Sequence, residues 1–171
     1  NSLGVNAIEA ISADIINSQI EAVFSDFKIK SLKTGMLLNE DIILNTSEKL
    51  RAYSIPKIID PVMVSRTGAT LIEKKAINAY KYSLCPQADI ITPNIFEASL
   101  LSGINIKNKQ DIENAALKLL ELGSSAILIK GGGINEFKGK DFYVDKKGNS
   151  HWFNSEFINT TNTHGSGCTL S

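Results

Sequence analysis

Hydrophobic and polar positions along the chain change repeatedly between a strand-like and a helix-like period. Apolar side chains at positions 15, 16, 20, 23 and 24 recur at helical spacing, and Ser12 ahead of them is a suitable N-cap. The same pattern predicts further helices at 39–53, 73–83, 96–101 and 109–122. It predicts strands at 5–11, 29–34, 57–60, 88–92 and 126–130, and a hairpin formed by 142–144 and 151–157.

Strands that alternate with helices of this length indicate a mostly parallel sheet covered by helices on both faces, a three-layer α/β/α sandwich. In such folds ligands bind beyond the carboxyl ends of the strands. The residues that directly follow the predicted strands are therefore the candidates for a site. They are Gly35 and Met36, Asp60, Asn94, Lys130–Gly133 and the segment that begins at Asn162.

Composition narrows the class of protein. The 171 residues are 43% hydrophobic, and 18 basic residues balance 18 acidic ones. This neutral balance lacks the electrostatic footprint of a nucleic-acid-binding protein, and no apolar run approaches the length of a membrane span. Cys85 and Cys168 are the only cysteines, which implies no disulfide framework and suits a reducing cytoplasm. Because the chain starts without Met and stops where a helix is predicted to begin, we expect one domain over residues 1–171, truncated at both ends.

The C-terminal run, Asn-Thr-His-Gly-Ser-Gly-Cys-Thr-Leu-Ser at 162–171, carries the clearest chemistry. Gly165 and Gly167 flank Ser166 just before the predicted helix start. Glycines allow close approach of the backbone, and the unpaired amides of a helix N-terminus favour negative charge, so these three residues outline an anion hole. Cys168 lies in the same first turn. From its position alone it could be a general base, a nucleophile or a small packed residue.

Other common sites are excluded by spacing. The stretch from Gly133 to Lys140 has one residue too many for a P-loop, and Asp141 stands where that motif requires Ser or Thr. Gly131 and Gly133 lack the third glycine of a dinucleotide-binding fingerprint. Two histidines and two distant cysteines do not form a zinc spacing.

The run at 162–171 resembles the Asn-Thr-His-Gly-Thr/Ala-Gly-Cys-Thr signature of phosphomethylpyrimidine kinases, with Ser166 at the variable position. Most ribokinase-like enzymes have Asp in place of Cys168, and Cys there is typical of the vitamin-kinase branch. Four more segments are similar to family motifs in order and spacing. They are Lys-Thr-Gly-Met-Leu at 33–37, Asp-Pro-Val-Met at 60–63, Thr-Pro-Asn-x-x-Glu-Ala at 92–98 and Lys-Gly-Gly at 130–132. The likeness covers the whole chain but lacks the family's N-terminal Gly-rich substrate loop and its C-terminal helices.

The resemblance implies a ribokinase-like fold and an ATP-dependent kinase of thiamine biosynthesis. Its substrates would be 4-amino-5-hydroxymethyl-2-methylpyrimidine and then the monophosphate of that compound, with Mg²⁺ as the metal. The implied partners are ATP and the pyrimidine, not nucleic acid or a membrane, and a homodimer is left open. One alternative is a pyridoxal or pyridoxine kinase of the same superfamily. Another, from a different class, is a catalytically silent pyrimidine-binding domain.

The resemblance also implies a role for each candidate residue. Cys168 is the expected catalytic base, and Gly165, Ser166 and Gly167 are the expected anion hole. Lys130, Asn94 and Asp60 are expected to bind ATP or its phosphates, Glu97 and Asp60 to hold the metal, and Met36 to line the substrate pocket. Local alternatives remain for three of them: a lysine that extends to solvent for Lys130, a helix N-cap for Asn94, and core packing for Met36.

Overall fold

The computed structural model describes residues 7–63, 72, 74–156 and 165–171. Within them one sheet contains six strands in the order of the chain. They are β1 (Leu32–Thr34), β2 (Lys57–Ile59), β3 (Ile90–Ile91), β4 (Ala126–Lys130), β5 (Lys140–Asp145) and β6 (Ser150–Asn154). Strands β1 to β4 are parallel, and β5 and β6 continue the sheet as an antiparallel hairpin. The mostly parallel sheet and the predicted hairpin are therefore confirmed.

Six α-helices lie among the described residues. They are α1 (Ala13–Asp26), α2 (Glu40–Arg51), α3 (Lys74–Ala79), α4 (Ile95–Ser102), α5 (Lys109–Leu120) and α6 (Ser166–Leu170). Four begin at a polar residue whose side chain accepts a hydrogen bond from the first turn, which satisfies an otherwise unpaired amide. These N-caps are Ser12, Asn39, Asn94 and Asn108. None of the helices in the described ranges is long and apolar enough to cross a membrane.

The predicted strand at 5–11 is wrong over its described part. Residues 7–12 form no regular structure, and Ile8 and Ile11 are each about half exposed, at 50% and 51%. Alternation of apolar and polar residues makes a strand only where a neighbouring strand and a covering layer exist. The described residues provide neither for this segment, so the alternating pattern is misleading there.

The predicted helix at 73–83 is confirmed only in part. Regular α-helix ends at Ala79, and a π-helical turn (Tyr80–Leu84) and a 3-10 turn (Cys85–Gln87) follow. Pro86 has no backbone N–H with which to continue α-helical hydrogen bonds, and the helical conformation ends at Ala88, which is extended with φ −76° and ψ 133°. The π turn carries Tyr80 into the interior, where its hydroxyl donates to the Gly35 carbonyl at 3.3 Å.

Helices cover both faces of the sheet, as the three-layer prediction requires. On β4, Ile127 and Ile129 on one face and Ala126 and Lys130 on the other are all buried. Helix α5 packs against α4, β4 and β5, whereas α2 packs against α1 and α3. The sheet is thus held rigidly between layers, and the carboxyl ends of β1 to β4 meet along one edge.

Candidate active site

A buried ion pair joins the ends of two strands at this edge. Asp60 directly follows β2, and Lys130 is the last residue of β4. The Lys130 Nζ atom lies 2.8 Å from Asp60 Oδ1, and the two side chains are only 9% and 1% exposed. Charges buried to this extent are tolerated in proteins when they are paired and hydrogen-bonded. The structure thus brings Asp60 and Lys130, two of the residues predicted to bind ATP or its phosphates, into direct contact.

Helix α6 lies against this pair, and both partners contact it. Lys130 Nζ donates to the carbonyl of Gly167 at 3.3 Å, and the hydroxyl of Ser171 donates to Asp60 Oδ2 at 2.8 Å. Gly165 precedes the helix with a φ of 78°, a left-handed conformation that glycine adopts without strain. Cys168 is one residue from Gly167 and is exposed as a free thiol. The fold therefore brings the glycine segment and Cys168 to the Asp60–Lys130 pair.

Asn94 and Glu97 form a reciprocal capping box at the start of α4. Asn94 Oδ1 accepts from the Glu97 amide at 2.9 Å, and Glu97 Oε2 accepts from the Asn94 amide at 2.9 Å. The N-cap alternative for Asn94 is thus confirmed. The backbone of Asn94 also forms an isolated parallel bridge with Lys130. This bridge fixes the start of α4 next to the end of β4.

Glu97 is a buried carboxyl group that also binds the segment after β2. Its Oε1 accepts from the Met63 amide at 3.3 Å, and the residue is 2% exposed. Burial raises the pKa of Glu97 to about 7, because removal from water disfavours the charged form. The Asn94 amide and the positive charge of Lys130 act in the opposite direction on this pKa, whereas the negative charge of Asp60 raises it further. The electrostatics thus couple Glu97 to the ion pair.

The remaining predicted residue, Met36, lies on the segment after β1 and is 45% exposed. It lies at the carboxyl end of the parallel strands, where the sequence predicts the site. An exposure of this size does not fit core packing, which was the other role considered for this residue. The first residues of the C-terminal signature, 162–164, lie outside the described residues. Within the described residues no three or more His, Cys, Asp and Glu side chains are grouped to hold a metal ion. Asp60 and Glu97, the two carboxylates predicted to hold the metal, both lie at this edge.

Sequence reasoning gave no role to Lys33 and Ser171, although both contact the site. Lys33 Nζ donates to the Cys168 carbonyl at 2.8 Å, and Ser171 binds Asp60. Lys33 belongs to the Lys-Thr-Gly-Met-Leu segment that resembles a family motif, so a signal was present. That signal says nothing about which atoms the side chain reaches, which depends on where α6 lies over the sheet.

Comparison with known proteins agrees with this geometry. The family model described as phosphomethylpyrimidine kinase matches residues 1–171, the entire chain. The chain belongs to the phosphomethylpyrimidine kinase family. A relative from Synechococcus elongatus, a hydroxymethylpyrimidine/phosphomethylpyrimidine kinase, is 45% identical over 172 residues, which cover 100% of this chain and 65% of the relative. The resemblance that the sequence motifs indicated is therefore confirmed.

Solved structures of family relatives and of pyridoxal kinases share the fold. The phosphomethylpyrimidine kinase of Clostridium difficile is 37% identical with a TM-score of 0.82, over 92% of this chain and 68% of that one. The pyridoxal kinase of Bacillus subtilis, solved as an ADP complex, is 33% identical with a TM-score of 0.85, over 96% of this chain and 61% of that one. These similarities confirm the predicted ribokinase-like fold. The chain spans 65% of the length of the Synechococcus relative that it matches.

Proposed function

We propose that this protein is an ATP-dependent kinase that phosphorylates 4-amino-5-hydroxymethyl-2-methylpyrimidine and then its monophosphate, in thiamine biosynthesis. The observation that carries the proposal is the contact between α6, which contains Cys168, and the Asp60–Lys130 pair. A proton acceptor, a cation and acidic groups at one sheet edge are the parts that phosphoryl transfer asks of a protein. Membership of the family supplies the substrate class.

In the proposed reaction the hydroxymethyl oxygen of the substrate forms a bond to the γ-phosphorus of ATP. The bond between that phosphorus and the β–γ bridging oxygen breaks, and ADP leaves with the bond's electron pair. Cys168, as thiolate, accepts the proton of the attacking hydroxyl. Its exposed position leaves the thiol accessible to a substrate.

Gly165, Ser166 and Gly167 are proposed to receive the transferring phosphoryl group on their backbone amides. Lys130 is proposed to bind a phosphate oxygen, with Asn94 and Asp60 beside it on the ATP side. An ammonium group has three donors, and the contacts of Lys130 with Asp60 and Gly167 use two of them. With the contacts that the described residues make, one donor therefore remains for a phosphate without loss of either contact.

The residues present fit a Mg²⁺ ion held mainly by phosphates and water. Mg²⁺ usually takes one or two protein carboxylates and completes its shell with substrate phosphates and water. Glu97 accepts one backbone amide on each oxygen, which leaves lone pairs free on both. Glu97 and Asp60 would hold the ion directly or through water, and a bound Mg²⁺ would neutralise negative charge on the phosphates.

Met36 is proposed to line the pyrimidine pocket after β1. A pyridoxal kinase is the second candidate, because the B. subtilis pyridoxal kinase shares this fold with a TM-score of 0.85. We further propose that residues 1–171 belong to one domain, since the described core is a single cluster, and that the enzyme works in the cytoplasm. Homodimer formation stays a prediction, which light scattering of the intact protein would test.

The central test is Cys168→Ala in the intact protein. We expect kcat for the pyrimidine to fall by roughly 10²–10⁴, the usual contribution of a positioned base, with ATP binding nearly unchanged. Cys168→Asp should retain more activity than Cys168→Ala, because a carboxylate can accept the same proton. Activity on the pyrimidine, its monophosphate and pyridoxal should be measured side by side, and a preference for pyridoxal would favour the second candidate.

Alkylation provides an independent readout with an internal control. Iodoacetamide should modify Cys168 and inactivate the enzyme, and ATP with the pyrimidine should protect it. Cys85 should stay unmodified, because it is fully buried and burial raises the pKa of its thiol to about 12. A Cys168→Ala enzyme with kcat within about twofold of the unsubstituted enzyme would mean that the base lies elsewhere.

A further inference from the structure

Lys33 reaches from β1 to the helix that carries Cys168. Its Nζ donates to the Cys168 carbonyl at 2.8 Å and lies 3.3 Å from the Ser171 hydroxyl oxygen. These residues are separated by 135 and 138 positions in the chain. The contact therefore depends on the folded arrangement of the sheet edge and α6, and local sequence does not produce it.

Two lysines from different strands bind neighbouring carbonyls of α6. Lys130 of β4 contacts the Gly167 carbonyl, and Lys33 of β1 contacts the Cys168 carbonyl. Lys130 is also neutralised by Asp60, whereas in the described part of the chain Lys33 forms no ion pair. The positive charge of Lys33 is thus directed at the Cys168 carbonyl.

Helix α6 spans Ser166–Leu170, and side chains from two strands of the sheet contact its backbone. Among its backbone hydrogen bonds are those from the Thr169 amide to the Gly165 carbonyl and from the Ser171 amide to the Gly167 carbonyl. The position of α6 relative to the sheet therefore depends in part on these side chains. Among the described residues of the strands, Lys33 is the one whose side chain donates to the Cys168 backbone.

We propose that Lys33 is a positioning residue that holds the α6 turn so that Cys168 faces the substrate hydroxyl. The inference rests on the proposed function, because Cys168 must be the base for its position to affect turnover. Lys33 itself does not exchange a proton in the reaction. Its Nζ contacts the Cys168 carbonyl and the neighbouring Ser171 hydroxyl, so its effect reaches the Cys168 side chain through the backbone of α6.

Hydrogen exchange tests the contact independently of activity. In the intact protein, Lys33→Met should accelerate amide exchange in the 165–171 peptide by at least about fivefold, because the turn loses one of the contacts that hold it against the sheet. The matched control is Lys30→Met, which removes an exposed lysine three residues earlier in the chain. Lys33→Arg should restore slow exchange, since arginine keeps a long cationic donor. Equal exchange in the Lys33→Met and Lys30→Met proteins would overturn the proposal.

Kinetics then separate positioning from general stability. Lys33→Met should lower kcat about threefold to tenfold with KM for ATP unchanged, and Lys33→Arg should recover most of the loss. In a Cys168→Ala background the same substitution should change kcat by less than about 1.5-fold, because the residue acts through Cys168. A full additional loss in that background, or no loss in an active enzyme, would overturn the positioning role. An inactive unsubstituted protein would refute the proposed function instead, while exchange still decides whether Lys33 holds the turn.

Discussion

Removal of Lys130 should expose the energetic cost of the buried ion pair. Lys130→Met keeps the length of the side chain but leaves the Asp60 carboxylate 0% exposed and without its cation. Loss of one partner of a buried pair typically costs 3–5 kcal/mol, because the remaining charge is uncompensated. Asp60 retains the hydrogen bond from Ser171, so we expect the lower end, a loss of about 3 kcal/mol in the free energy of unfolding at pH 8.

The loss should depend on pH with a defined sign. A buried carboxyl group without a cation binds its proton more strongly in the folded state than in the unfolded state. Stability therefore falls as pH rises, and acid should relieve the variant because the protonated group carries no charge. We expect the loss to shrink to about 1 kcal/mol at pH 4.5. Urea unfolding followed by circular dichroism at several pH values measures it.

Lys57 supplies a matched control. It is nearly as buried as Lys130, at 9% against 7% exposed, but its Nζ donates to the carbonyls of Tyr53 and Ile55 and, among the described residues, to no carboxylate. Lys57→Met should therefore show no comparable dependence on pH between 4.5 and 8. The double variant Asp60→Asn/Lys130→Met should recover much of the stability, since neither charge remains. A Lys130→Met loss below about 1 kcal/mol at pH 8, or the same pH profile in both single variants, would refute the reasoning.

Two further predictions use other features of the same edge. The pKa of Glu97 is raised from 4.5 to about 7, so the stabilising contribution of this residue is complete below about pH 4.5 and is lost as pH rises through 7. Without Mg²⁺, the unfolding free energy of the unsubstituted protein relative to that of Glu97→Gln should therefore fall by about 3 kcal/mol between pH 4.5 and 8. A difference that does not change with pH in urea titrations would contradict this prediction. Gly131→Ala should destabilise the protein by more than about 2 kcal/mol in thermal unfolding, because an added Cβ would lie 2.0 Å from the Lys140 carbonyl oxygen. Gly132→Ala is the control and should change stability by less than about 1 kcal/mol, because an added Cβ there would have no atom within 4 Å.

Sequence patterns predict the parts of this fold that depend on local chemistry and on a continuous core. The N-caps at Ser12 and Asn39 and the strand at 126–130 follow from residue type and period, and the structure confirms them. The predicted strand at 5–11 is wrong over residues 7–11, because an alternating pattern forms a strand only beside a partner strand, and the local sequence does not show whether one is present. The π turn after Ala79 is invisible to periodicity, since one extra residue in a turn barely alters the spacing of apolar positions.

The candidate site divides in the same way. Asp60, Asn94 and Lys130 could be placed at one edge because each follows a strand, and parallel strands end together. The contact of Ser171 with Asp60 and the contact of Lys33 with Cys168 could not be predicted, because both depend on how α6 lies over the sheet. The arrangement of the Asn94–Glu97 segment could be predicted in part. Its spacing fits a capping box as well as a ligand pair, and the structure shows the capping box directly.

The hydrogen-bonding capacity of the site is partly used in this structure, and the unused part matches a phosphorylated ligand with its cation. Lys130 has one donor beyond its contacts with Asp60 and Gly167, and each oxygen of Glu97 keeps a lone pair after accepting a backbone amide. The existing bonds hold these groups in place, so a ligand would find them already oriented. The raised pKa of Glu97 records the cost of burying a carboxylate here. A bound cation would lower that cost, and a phosphate would compensate the positive charge of Lys130. The loss of stability caused by buried charge and the proposed affinity for a metal–phosphate ligand therefore have the same physical origin. Substitutions of Glu97 that stabilise the free protein should accordingly weaken its binding of Mg²⁺ and ATP.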